Sequence, residues 1–115
     1  MSDITIWHNP RCTKSRQALD FLRDKGHMPD IIAYLADPPS EQALRDAASA
    51  MGLSAIQMMR PKEALFAELG LSKTDPEDVL FAAMAANPRL IERPIIFTPK
   101  GVRIARPTEA ILDIL

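Results

Sequence analysis

The chain is 115 residues long, 47% hydrophobic and 25% charged, with a formal net charge of −1. That length suits one domain with a modest core of its own, and the near-neutral balance offers no basic field for a nucleic acid. The lone cysteine excludes an intramolecular disulfide and a cysteine-rich zinc site. No apolar run approaches the ~20 residues that span a bilayer.

The start Met1-Ser2-Asp3-Ile4 lacks the charged, apolar and cleavage regions of a signal peptide. The expectation is a cytoplasmic monomer without nucleic-acid or membrane partners, in a compartment that keeps its thiol reduced.

Ile4, Thr5, Ile6 and Trp7 are formers of a buried strand, and Asn9-Pro10 ends that run and turns the chain. From Thr13 the apolar residues Ala18, Leu19 and Leu22 recur at helical spacing. This predicts a helix from Thr13 to Lys25, with Gly26 as its left-handed stop. Ile31-Ile32-Ala33-Tyr34 reads as a second strand, and strand, helix and strand in such a short stretch suggest a parallel βαβ unit.

Asp37-Pro38-Pro39-Ser40 breaks the pattern, and Ser40 is a good cap for a helix from Glu41 to Met51 with Leu44, Ala47, Ala48 and Met51 inward and Gly52 at its end. Ser54 is predicted to cap a short helix through Ile56, Met58 and Met59 to Arg60, where Pro61 interrupts. Leu65, Phe66 and Leu69 are predicted to bury the next turns. Asp75-Pro76 reads as a cap and first helical residue for a helix burying Val79, Leu80, Ala83 and Met84 and ending near Asn87-Pro88.

Pro94 to Thr98 and Val102 to Ala105, joined by Pro99-Lys100-Gly101, read as a β-hairpin. Thr108 is expected to cap a last helix burying Ile111, Leu112 and Leu115. The order β-α-β, helices, β-β-α describes one α/β domain with a helical insertion over about residues 40–88.

Cys12 falls at or just before a helix N-terminus, where free N–H groups and the positive end of the helix dipole favour an anion. Such settings, with cations nearby, bring a cysteine pKa from ~8.5 down to roughly 3.5–7.5. Arg11, Lys14, Arg16 and His8 are close in sequence. The amides and cations that favour a thiolate would also hold an oxyanion beside it. A lone cysteine is most often an inert, buried hydrophobe, but the strand–loop–helix context argues for reactivity here. His8 could tune the cysteine's proton or simply close a strand.

Arg93-Pro94 precedes one hairpin strand and Arg106-Pro107 follows the other, so both arginines belong to one end of the sheet. Arg60 also precedes a proline. Guanidinium suits bidentate binding of a phosphate-like oxyanion. His27 reads as a solvent residue after a helix-ending glycine, and Met58-Met59 as core rather than a ligand pair.

Four stretches together resemble the glutaredoxin-linked arsenate reductase (ArsC) family, in its shorter branch: His8-Asn-Pro-Arg-Cys-Thr-Lys-Ser-Arg16, Tyr34-Leu-Ala-Asp-Pro-Pro39, Asn87-Pro-Arg-Leu-Ile-Glu-Arg-Pro-Ile95 and Gly101-Val-Arg-Ile-Ala-Arg-Pro107. The resemblance implies a thioredoxin-like fold with an inserted helical segment. It makes Cys12 the nucleophile, Arg60, Arg93 and Arg106 the oxyanion-binding arginines, and His8 a residue linked to thiolate stabilisation. Ser15 falls where CxxC relatives carry a second cysteine, and Pro94 where thioredoxin-like folds carry a cis-proline near the active cysteine.

The implied reaction is reduction of arsenate to arsenite, with glutathione as co-substrate, glutaredoxin as partner, and no bound metal or prosthetic group. Spx-type regulators, which bind RNA polymerase, resemble the same fold and offer a competing reading. Many of them sense oxidants through a CxxC pair, for which Ser15 leaves no partner. A thiol-dependent reductase of another substrate is the third reading.

Overall fold

Thr5–His8 forms the strand β1 in the protein's structure, a computed structural model that describes residues 3–115. Asp30–Ala33 (β2), Ile95–Thr98 (β3) and Gly101–Ile104 (β4) complete a four-stranded sheet in the order β2-β1-β3-β4. β1 pairs parallel to β2, Thr5 opposite Asp30 and His8 opposite Ala33, and antiparallel to β3, Thr5 opposite Phe97 and Trp7 opposite Ile95. β3 and β4 form the hairpin, with Thr98 opposite Gly101 and Ile95 opposite Ile104. This is the mixed sheet of a thioredoxin-like fold.

A parallel pair needs a crossover, and Thr13–Asp24 (α1) supplies it. The helix closes one residue earlier than predicted, with Lys25 at its end and Gly26 at φ 86°. There the Gly26 N–H donates to Arg23 O and the His27 N–H to Leu22 O, both at 2.9 Å. These are the paired bonds of a Schellman ending, and they require a left-handed residue that glycine adopts without a Cβ clash.

The chain divides into two compact units, one built from the chain up to Asp37 together with Arg93–Leu115, the other from Pro38–Glu92. In the first, strand alternation turns Ile4, Ile6 and Ile96 toward Ala18, Leu19 and Leu22 of α1, and Ala105, Ile111 and Ile114 close the same cluster. On the other face of the sheet Trp7 meets Phe97, ring centroids 4.7 Å apart.

The last helix differs from expectation. Thr108–Ile114 is 3-10 rather than α, begins after Pro107, and gains no side-chain cap from Thr108. Three residues per turn aligns Ile111 with Ile114, which leaves Leu112 51% exposed.

The second unit is helical. Its elements are Glu41–Met51 (α2), a 3-10 turn at Ile56–Met58, Ala64–Glu68 (α3), Glu77–Ala86 (α4) and a 3-10 turn at Pro88–Leu90. Ser40 Oγ accepts the Ala43 N–H at 3.0 Å, and α2 ends on left-handed Gly52. α2 packs against α4, with Leu44, Ala47 and Ala48 of one and Leu80, Phe81 and Met84 of the other buried. Met58 and Met59 are buried as expected of core residues.

Four local expectations are corrected in this unit. Val79 is exposed and Phe81, with more apolar area to hide, takes the inward place. Leu69 is exposed as well. Asp75 does not cap α4: its Oδ2 accepts the Ser72 N–H at 2.9 Å, and Pro76 occupies the cap position. Ser54 does not cap the turn that follows either. Instead Gln57 Oε1 reaches back to accept the Ser54 N–H at 2.8 Å. In both places a side chain found a nearer partner across a tight turn.

Among the described residues no helix is long and apolar enough to cross a membrane. Leu22 is fully buried at the centre of the first unit's core. Leu22→Ala is expected to lower stability by about 2–5 kcal/mol, read from denaturant unfolding.

Candidate active site

Strand direction brings the site's parts to one edge. Because β1 and β2 are parallel and His8 lies opposite Ala33, the segment after β1 (Asn9 to Cys12) and the residue after β2 (Tyr34) leave the sheet side by side. β3 runs the other way and begins opposite Trp7, so Arg93 and Pro94 arrive at that same edge. β4 ends there too, and the Ala105 N–H donates to Pro94 O at 3.0 Å. The Arg106 Nε then donates to Arg93 O at 2.8 Å. The Arg93–Pro94 and Arg106–Pro107 peptide bonds are both cis.

Cys12 caps α1 with an extended backbone and no side-chain hydrogen bond of its own to the helix. Its N–H donates to Asn9 O at 3.0 Å, which closes a turn, and its carbonyl accepts the Arg16 N–H at 3.0 Å. Sγ is therefore left to the groups around it, in a residue that is 9% exposed. Arg106 Nη2 lies 3.9 Å from Sγ.

Burial pushes the Cys12 thiol up. The hydrogen bond and charge of Arg93 and the backbone N–H groups of Ser15 and Lys14 outweigh it, and the net pKa falls below the ordinary 9.0. The helix-terminus amides anticipated from sequence do take part. The cations involved are Arg93, which lowers the pKa, and Arg106, 3.9 Å from Sγ, both far away along the chain, whereas Arg11 and Lys14 are exposed. Arg16 braces the loop instead, with Nη1 donating to Pro10 O at 3.0 Å.

His8 Nδ1 and Ser15 Oγ lie 2.6 Å apart, both buried, and Ser15 Oγ also accepts the Asn9 N–H at 2.9 Å. Asn9 Oδ1 accepts the Arg11 N–H at 3.0 Å. The two side chains nominated beside the thiol thus form one knot beneath the loop. His8 reaches the sulfur's surroundings through Ser15, whose N–H faces Sγ. Burial first, then the charges of Arg23 and Arg16, lower the His8 pKa from 6.5, so the imidazole is neutral at neutral pH.

Arg60 belongs to the second unit. There its N–H donates to Leu90 O at 2.8 Å, and its guanidinium faces Glu92 at 3.9 Å and Glu63 at 4.0 Å. His27 is partly buried, not a fully solvated residue. It lines a cavity of about 280 Å³ around the hairpin turn, at the opposite end of the sheet from Cys12. Two of the polar groups there are spent on the chain itself, Thr98 Oγ1 on Ile114 O and Lys100 Nζ on Leu115 O. No group of three or more His, Cys, Asp or Glu among the described residues is placed to hold a metal ion.

Tyr34, read from sequence as a strand residue and as the start of one family-like stretch but given no role, is 1% exposed and just beyond β2. Parallel pairing of the two strands was the signal that could have set it beside Asn9. Burial pushes its hydroxyl above the ordinary 10.0; Arg93 opposes that, the Cys12 charge adds to it, and Asn9 opposes it again.

A thiol drawn toward its anion at the edge of a thioredoxin-like sheet defines the class of protein. The chain belongs to the ArsC family, whose model matches residues 7–114. It is 43% identical to the arsenate reductase of Acidiphilium multivorum, a match covering 100% of this chain and 82% of that protein. It is 42% identical to the uncharacterized protein YfgD of Escherichia coli K12, over 97% of this chain and 96% of that one. Among solved structures, the arsenate reductase from Vibrio cholerae superposes with a TM-score of 0.93 at 44% identity, covering 97% of each chain.

Two measurements check these electrostatics. The rate of Cys12 alkylation by iodoacetamide is expected to rise with an inflection below that of an ordinary cysteine, roughly 8.5, and Arg93→Ala to move that inflection upward. A wild-type inflection at or above the ordinary value would refute thiolate stabilisation. For His8, a folded pKa below 6.5 means the unfolded chain binds the proton more readily. The neutral ring's stability contribution is then full above that value and is lost as pH falls through the folded pKa. Denaturation across this range should show a steeper acid loss in wild type than in His8→Gln.

Proposed function

We propose that this protein is a cytoplasmic arsenate reductase that draws its electrons from glutathione and glutaredoxin. The observation that carries the reading is the Cys12 thiol, held below its ordinary pKa by Arg93 with Arg106 at 3.9 Å. Membership of the ArsC family and the similarity to named arsenate reductases support the choice of arsenate.

In this mechanism the Cys12 thiolate attacks arsenic, an S–As bond forms, and an As–O bond breaks with loss of hydroxide, which takes up a proton from solvent. Arg93, Arg106 and the amides at the start of α1 hold the remaining oxygens and the charge that develops on them. The chain has one cysteine, so an external thiol completes the reduction. A glutathione thiolate attacks the Cys12 sulfur, the S–As bond breaks with its electron pair left on arsenic, and arsenic departs as arsenite. Glutaredoxin then attacks the glutathione sulfur of the mixed disulfide and returns Cys12 to thiolate. Ser15, fixed on His8, keeps the position of a resolving cysteine free of sulfur and its backbone N–H on the nucleophile.

The test is arsenite release in a coupled glutathione and glutaredoxin assay. Cys12→Ser is expected to abolish turnover with the fold retained by circular dichroism, and activity in that variant would remove the nucleophile. Arg93→Ala and Arg106→Ala are each expected to weaken arsenate binding by about 1.5–3 kcal/mol. Unchanged kinetics in both would overturn the oxyanion pocket. Arg60→Ala, assayed beside them, tests the third arginine nominated by the resemblance.

A further inference from the structure

The Tyr34 hydroxyl is a buried polar group that the mechanism above does not use. Its oxygen has no partner in good hydrogen-bond geometry among the described residues, although the side chain is 1% exposed. Asn9 and Arg93 stand close enough to favour its charged form without completing a well-formed bond to the hydroxyl. A buried hydroxyl left without a partner costs about 1–3 kcal/mol, and such groups in folded proteins call for an explanation.

Its position supplies one. Tyr34 follows Ala33, which pairs with His8, so it stands beside Asn9 at the edge where Arg93 and Cys12 meet. The groups facing it are donors or an anion: the Arg93 guanidinium, the Asn9 side chain and the Cys12 sulfur. We propose that Tyr34 is a further ligand of this site, its hydroxyl donating a hydrogen bond to one oxygen of a tetrahedral oxyanion seated between Cys12 and Arg93. The inference rests on the oxyanion-binding reading of the same site and adds to it a neutral donor from a third segment of the chain.

The chemistry fits the place. Burial and the neighbouring thiolate keep the phenol protonated, so it serves as a donor at neutral pH. A neutral donor adds no charge to a pocket whose sulfur must remain nucleophilic. Already held in a buried position just after β2, it costs little conformational entropy when the anion arrives.

Tyr34→Phe removes one oxygen and preserves the ring's packing. Protection of Cys12 from iodoacetamide by arsenate, and by inorganic phosphate as an unreactive mimic, reads anion affinity without turnover. The variant is expected to need roughly ten- to a hundredfold more of either anion for equal protection, the effect of losing one hydrogen bond to a charged acceptor. Its thermal midpoint should stay level or rise, because an unpartnered buried hydroxyl has gone, and the pH inflection of Cys12 alkylation should hold its place. Equal protection in the two proteins would overturn the role of Tyr34 alone. A lowered thermal midpoint would overturn it too, by showing that the hydroxyl serves the fold. Absence of protection in wild type would overturn the oxyanion site itself, and Tyr34 with it.

Discussion

Everything at the reactive edge answers to one constraint: a largely buried cysteine has its thiol pKa held below the ordinary value. Withdrawing it from water raises its pKa, and each unit of that rise corresponds to about 1.4 kcal/mol against the anion. The counterweight is a guanidinium brought by β3 and two amides from the first turn of α1. Neither source would suffice by placement in sequence alone. The exposed Arg11 and Lys14 are surrounded by solvent, where high dielectric and salt weaken their pull.

The loop that presents the sulfur is held from below. Ser15 Oγ gathers His8 Nδ1 and the Asn9 N–H, while Asn9 O and Oδ1 tie back Cys12 and Arg11. Each bond contributes modestly alone, but together they occupy the polar groups of a buried turn, none of which could be left unmade without cost. A neutral His8 suits this arrangement. A positive charge there would face Arg16 and Arg23. The serine has a chemical consequence as well: with no second cysteine in the chain, reduction of an oxidised Cys12 calls on a thiol from outside.

The second unit shows the same economy on a structural theme. Its helices hide a shared apolar face, and elsewhere in the unit Glu63 and Glu92 meet Arg60. Side chains there settle for near partners, as Gln57 does on Ser54 and Asp75 on Ser72. That is why the predicted caps of two helices moved while the helices themselves formed. Cap position depends on a few tenths of an ångström and on competing bonds within one turn. Helix formation depends on an apolar face repeated over several turns.

Local pattern carried much of this protein. The βαβ start, the glycine endings of α1 and α2, the Ser40 cap and the hairpin follow from period, breakers and turn residues over short stretches. Cys12 could be set at a helix N-terminus on the same ground, because strand, loop and helix are contiguous. The hairpin pattern already set Arg93 and Arg106 at one end of the sheet. What tertiary structure alone decided is that Cys12 and Tyr34 come to that same end, which only strand order and register bring about. Pairing between strands is a long-range choice made by the buried faces of the whole sheet, so no window of sequence contains it. The same holds for Phe81 over Val79 and Ile114 over Leu112, where the neighbouring surface chose which side of a helix would be covered.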